Sequence, residues 1–99
     1  SRLAGVYLNL NENEKALVAA RNALKKGDLK REDLAWMSRG TAEQALHCYK
    51  DASKSFAKAA KFEKTEKGAK SWKAYVTNEG ERRNKLISNG ANLATCKKV

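Results

Sequence analysis

Two stretches decide how this chain folds: Trp36-Met37-Ser38-Arg39-Gly40, and then Tyr49-Lys50-Asp51-Ala52-Ser53-Lys54-Ser55-Phe56-Ala57-Lys58-Ala59. In the second, Ala52, Phe56 and Ala59 stand at i, i+4 and i+7, which is one face of an α-helix. The same face is written 36 residues earlier as Ala16, Ala20 and Ala23, and 36 residues after Trp36 comes Trp72. A fixed period of this size marks stacked, repeated helix pairs. The earlier copy opens on Leu3, Ala4 and Tyr7, and each copy supplies residues that the other lacks. Small residues at 4, 16, 23, 40, 52 and 59 let paired helices approach closely. Leu3, Tyr7, Trp36, Tyr49, Phe56 and Trp72 complete the expected core, since aromatic side chains at helical spacing are more often core than ligand platform.

Composition agrees with an all-α chain. Proline is absent and strong helix formers are abundant. With 99 residues there is room for one domain. Periodicity predicts helices over about 2–10, 14–26, 34–46, 49–62 and 66–87, the last kinked or frayed by Gly80. Asn11 or Asn13, Asp33 and Thr65 are the candidate N-caps. Lys25-Lys26-Gly27 is a suitable helix ending, with positive charge on the last turn and a residue free to adopt positive φ. From Ser88 the period is lost. The expected organisation is a repeat domain over 1–87, with repeats at about 1–30 and 31–64 and a closing helix at about 66–87, followed by a flexible tail over 88–99. The chain opens on Ser1-Arg2-Leu3, inside a helical pattern and without Met, which reads as a fragment of a longer protein.

Candidate chemistry is sparse. His47 beside Cys48 superficially suggests a thiolate–imidazole pair, but no third group orients the imidazole, and His47 stands at a turn usually filled by Gly. One His and two Cys make a poor metal-ligand set. No carboxylate pair or Gly-rich phosphate loop recommends itself, so neither an enzyme, a cofactor nor a metal is expected. Cys48 and Cys96 could form one bridge in an oxidising compartment, but two unpaired thiols are the favoured expectation. No run of about 18 apolar residues exists to span a membrane.

The net charge of +10, from 21 basic and 11 acidic residues, favours acidic partners, anionic surfaces or nucleic acid. Lys50, Lys54, Lys58 and Lys61 fall at i, i+4, i+8 and i+11 and form a basic face. It reads either as the solvated side of an amphipathic helix, the favoured expectation, or as a docking face. Lysines without arginine forks or interleaved exposed aromatics argue weakly for nucleic acid.

Overlaid, the two copies resemble the tetratricopeptide repeat: an aromatic, a small residue four later, then Ala, a bulky residue and Ala. The resemblance covers residues 1 to about 76. It implies antiparallel helix pairs forming a fragment of a right-handed α-solenoid, with a closing helix around Trp72. It further implies a protein-interaction scaffold whose concave groove is lined by the first helix of each pair, here Leu8, Met37, Thr41, Gln44, Lys70, Lys73 and Thr77. The class of such repeats that holds a terminal carboxylate is rejected, because only Lys70 matches among Ser1, Gly5, Ser38, Lys70 and Ala74. Arg39 and Glu43 depart from the repeat pattern and would bring charge to the interface between repeats, as a local loosening or a snorkelling pair.

A narrower resemblance runs from Gly27 to Glu43, through 49–61, to Trp72-Lys73-Ala74-Tyr75-Val76, Glu79, Glu81-Arg82-Arg83 and Leu86. This looks like the C-terminal region of the periplasmic tetratricopeptide proteins of gammaproteobacteria that accompany TonB-type energy-transducing systems. It implies a periplasmic accessory scaffold for outer-membrane nutrient uptake. The alternative reading is a basic helical module that binds nucleic acid or an anionic surface through the lysine stripe.

Overall fold

The structure is a computed structural model, described at residues 3–4, 12–27 and 29–99. The described residues form four long helices: α1 (Asn13–Lys26), α2 (Glu32–Ala45), α3 (Tyr49–Ala59) and α4 (Glu66–Ser88). All regular structure among them is helical, as the composition implies. Leu3 and Ala4 are helical too, but most of the helix expected over 2–10, including Gly5, Tyr7 and Leu8, lies outside the described residues. Consecutive described helices pack together, α1 on α2, α2 on α3 and α3 on α4, and the molecule measures 45 × 26 × 21 Å.

Alanines and two glycines make the contacts close. Ala16, Ala20, Ala52, Ala59 and Ala69 are fully buried, and Ala23 is half-buried. Phe56 is fully buried, and its ring lies directly against Gly40 of α2. Gly80 of α4 does the same at the start of α3, where an added Cβ would stand 3.0 Å from Tyr49 Cβ. The fraying expected beyond Gly80 does not occur. Helix α4 runs unbroken through Gly80, whose missing side chain lets α3 approach. Ala52, Phe56 and Val76 form one core cluster, with Met37 and Tyr49 packed against it. Ala16, Leu17, Ala42, Leu46 and Cys48 form the other.

Several cap expectations change. Asp33 lies inside the first turn of α2 and is buried, where it accepts Arg31 Nε–H and Nη2–H, each at 2.9 Å. That pairing holds the Asp33 carboxyl below its usual range. Leu34, at the start of the helix expected over 34–46, is exposed. Glu12 rather than an asparagine occupies the N-cap of α1. Thr65 is the N-cap of α4, but its hydroxyl donates to Ala59 O at 2.8 Å instead of bonding the helix it precedes. Gly27 ends α1 with φ 75°, as its place after Lys25-Lys26 predicts.

Arg39 and Glu43 form an ion pair one turn apart, Nε to Oε2 at 3.4 Å. Glu43 is nonetheless almost wholly buried, and its other oxygen accepts a hydrogen bond from Ser55 of α3. Burial pushes the Glu43 carboxyl above its usual range, against the opposing pull of Ser55 and Arg39. The interface holds a satisfied polar network there, so it is not left loose.

Two expected core residues lie at the surface. Trp72 is 45% exposed and Leu3 54%. Trp72 stacks its inner face near Phe56, with centroids 6.2 Å apart, but no described helix packs beyond it. Trp36 is half-buried, with the Arg39 guanidinium 5.4 Å and the Lys58 ammonium 5.9 Å from its ring centre.

The C-terminal segment differs most from expectation. Gly90 takes φ 96°, Gly90 N–H donates to Ile87 O, and Ala91 N–H donates to Leu86 O at 2.9 Å. This is a Schellman ending, and it reverses the chain. Residues 91–99 carry no helix and return to the start of α3. There Lys97 N–H donates to Leu46 O at 3.0 Å, and Cys96 is joined to Cys48 by a disulfide. The expectation of unpaired thiols is thus overturned, because the reversal at Gly90 brings together two residues 48 apart in sequence.

Candidate functional site

The structure distributes the residues expected in a single groove. Met37, Thr41 and Gln44 share a face of α2 at i, i+4 and i+7. Met37 is half-buried against the Phe56 cluster, so it supports the core, and it also accepts the Thr41 hydroxyl at its carbonyl, at 2.8 Å. Gln44 borders a shallow depression with Ser71, Trp72 and Tyr75 of α4. Lys70 pairs with Glu66 at 3.8 Å, and Lys73 is exposed. Thr77 faces a different cavity, where its hydroxyl meets that of Ser53 at 3.2 Å. Leu8 lies outside the described residues.

The depression beside Gln44 is an aromatic shelf. Trp72 and Tyr75 pack edge to face, with centroids 5.8 Å apart and planes at 90°, and Tyr75 is 50% exposed. Their positions follow from helix spacing: Ala69 and Val76 are the buried residues of α4, and Trp72 and Tyr75 flank that line. Two rings locked against each other supply large apolar area at small entropic cost.

The second surface is a cleft of about 560 Å³ between α3, α4 and the returning C-terminal segment. Val76, Ile87 and Ala94 give it apolar lining, and Ser53, Thr77, Asn84 and Thr95 give hydroxyl and amide groups. Lys50 and Lys54 border it from α3, Arg83 from α4 and Lys98 from the C-terminal segment. Only the first half of the lysine stripe takes part. A step of four residues overshoots a helical turn by about 40°, so the row rotates by about 80° between Lys50 and Lys58. Lys58 accordingly stands over Trp36, on the side of α2, and Lys61 is exposed beyond the end of α3.

The pair singled out for reactivity is engaged otherwise. The Cys48 sulfur is bonded to Cys96, which leaves no thiolate for His47 to activate. His47 Nδ1 lies 3.4 Å from the Tyr49 hydroxyl. His47 also takes φ 65°, the left-handed conformation that a glycine-favouring turn position demands. The Asp51 carboxylate lies near both sulfurs, all three ligand atoms being within 4.8 Å of one another. Joined as a disulfide, the sulfurs carry no thiolate charge to offer a metal, and Asp51 pairs with Lys98 at 3.7 Å.

Sequence reasoning missed the cleft, because two of its walls come from the segment read as a tail and from the helix end that redirects it. The Ser88-Asn89-Gly90 ending of α4 was the available signal, since Gly after a long helix commonly reverses the chain. Comparison of the chain with protein-family models, curated proteins and solved structures found no match. No described helix is long and apolar enough to cross a membrane.

Proposed function

We propose that this chain is a non-enzymatic protein-interaction module of the tetratricopeptide kind, closed by α4, that binds a polypeptide along the face of α2 and α4. The single observation that carries this reading is the exposed Trp72–Tyr75 pair beside Gln44. Large aromatics at a half-open site are the usual anchors of protein interfaces. Helices that pack on their sequence neighbours, with small residues at the crossings, support the repeat architecture. The placement in the periplasm, as an accessory scaffold of a TonB-type transport system, rests on the sequence resemblance. The Cys48–Cys96 bond supports it, since disulfides persist in oxidising compartments.

The test starts from peptides selected out of a random library on the intact chain, with affinity measured by fluorescence anisotropy. Replacing Trp72 and Tyr75 together by Ala should weaken the selected peptides more than about ten-fold while helicity is retained. Unchanged affinity would sink the reading. So would a tightest ligand that proves to be an oligonucleotide whose binding collapses with salt.

A further inference from the structure

We propose that the cleft between α3, α4 and the C-terminal segment binds an acidic, extended polypeptide segment, that Arg83 is its carboxylate-recognising residue, and that the Cys48–Cys96 bond holds Arg83 ready for it. This extends the protein-binding reading to a second surface and does not rest on the aromatic shelf, with which the cleft shares no lining residue.

Charge complementarity selects the partner. The cleft carries Lys50, Lys54, Arg83 and Lys98 against Asp51 and Glu81. Asp51 is already neutralised by Lys98, so three cations remain against Glu81. Lys50 and Lys54 are exposed and have no ion pair among the described residues. These cations come from two helices and surround a concave space, whereas a merely solvated stripe lies on one convex helix face. Exposed apolar Ile87 and Ala94 beside charged and hydroxyl groups suit a peptide that alternates apolar and acidic side chains.

Arg83 is held from two sides. Its guanidinium lies 5.4 Å from the Tyr49 ring centre, and its Nη2–H donates to Ala94 O at 2.7 Å. That hydrogen bond uses one of about five N–H donors, and a fixed guanidinium fork with free donors is suited to a carboxylate. Ala94 stands two residues before Cys96, so the disulfide and the Lys97–Leu46 hydrogen bond place the carbonyl that orients Arg83. Nucleic acid is the poorer occupant. Single strands need open rings on which bases stack, but Tyr49 is covered by Arg83 and the His47 ring is engaged by the Tyr49 hydroxyl.

The probe is a fluorescein-labelled decaglutamate peptide, titrated with the oxidised chain and read by anisotropy. Arg83→Gln should weaken binding about ten-fold or more, and Arg83→Lys several-fold, because the charge stays but the fork is lost. Cys48→Ser with Cys96→Ser should weaken it several-fold while helical circular dichroism is kept. Should that variant lose helicity, Tyr49→Leu removes the other support of Arg83 with the bridge intact, and the same loss is expected. A peptide selected on the aromatic shelf should not displace decaglutamate. The proposal is overturned if both Arg83 variants bind like the parent, if Arg83 can lose its supports without effect, if the shelf peptide competes, or if a ten-residue oligothymidylate binds as tightly at equal ionic strength.

Discussion

Gly40 lies beneath the ring of Phe56, so close that a Cβ at position 40 would stand 2.8 Å from Phe56 Cε1. Two effects compete when Gly40 becomes Ala. Helix propensity favours Ala by about 1 kcal/mol. Forcing a methyl group against a fully buried ring costs about 1–3 kcal/mol. The ring belongs to the core between α2 and α4 and has little room to give, so the steric term wins. Gly40→Ala should lower the denaturation midpoint, and Gly40→Ala with Phe56→Leu should recover part of the loss. A Gly40→Ala chain as stable as the parent would refute the close approach.

The buried Glu43 makes stability pH-dependent in a defined direction. Its folded pKa is raised, by burial, above the unfolded value of about 4.5. Below the unfolded value the carboxyl is protonated in both states and its contribution is fully present. As pH rises from there through the raised folded value, that contribution is lost. The stability of the parent chain relative to Glu43→Gln should therefore fall with rising pH across this window. Denaturant titrations of both chains at several pH values measure the difference, and a difference independent of pH contradicts the account.

Opening the disulfide should act on stability and on the C-terminal segment together. The bridge closes a loop with a sequence separation of 48, and removing such a cross-link typically costs about 2–4 kcal/mol. In Cys48→Ser with Cys96→Ser, the Lys97 amide should lose its hydrogen-exchange protection, because its partner is Leu46 O at the bridged end. Protection at α3 amides within the helix should fall only by the global loss of stability. An equally protected Lys97 in the variant would show that the segment docks without the bond.

His47 provides a test of backbone conformation. A left-handed residue other than Gly costs about 1–2 kcal/mol, while Gly loses about 0.5–1 kcal/mol more chain entropy on folding than other residues. The two terms nearly cancel for His47→Gly, so its stability should lie within about 1 kcal/mol of the parent. His47→Val, β-branched at positive φ, should be clearly less stable than either. Equal stability of the Val and Gly variants would contradict the conformation.

The four described helices were legible because each carries its own signals. The Ala16–Ala20–Ala23 and Ala52–Phe56–Ala59 faces, the Lys25-Lys26-Gly27 ending of α1 and the Gly-type turn at His47 are local patterns, and local patterns express helix geometry directly. Caps were less legible. A capping side chain competes with other partners, as Asp33 shows by pairing with Arg31 inside the helix.

What the sequence by itself determined is the all-helical character, the places where the helices begin and end to within a few residues, and the small residues at their crossings. Tertiary structure alone decided three matters. Trp72 is exposed because burial depends on what packs beyond a residue, which no pattern on its own helix states. Glu43 is held in the interface because Ser55 and Arg39 satisfy both of its oxygens from different directions. Cys48 meets Cys96 because the chain reverses at Gly90 and crosses back along α4, a long-range consequence of one local φ. The cleft with Arg83 exists only through that return, and so its chemistry was written in residues whose neighbourhood the sequence could not supply.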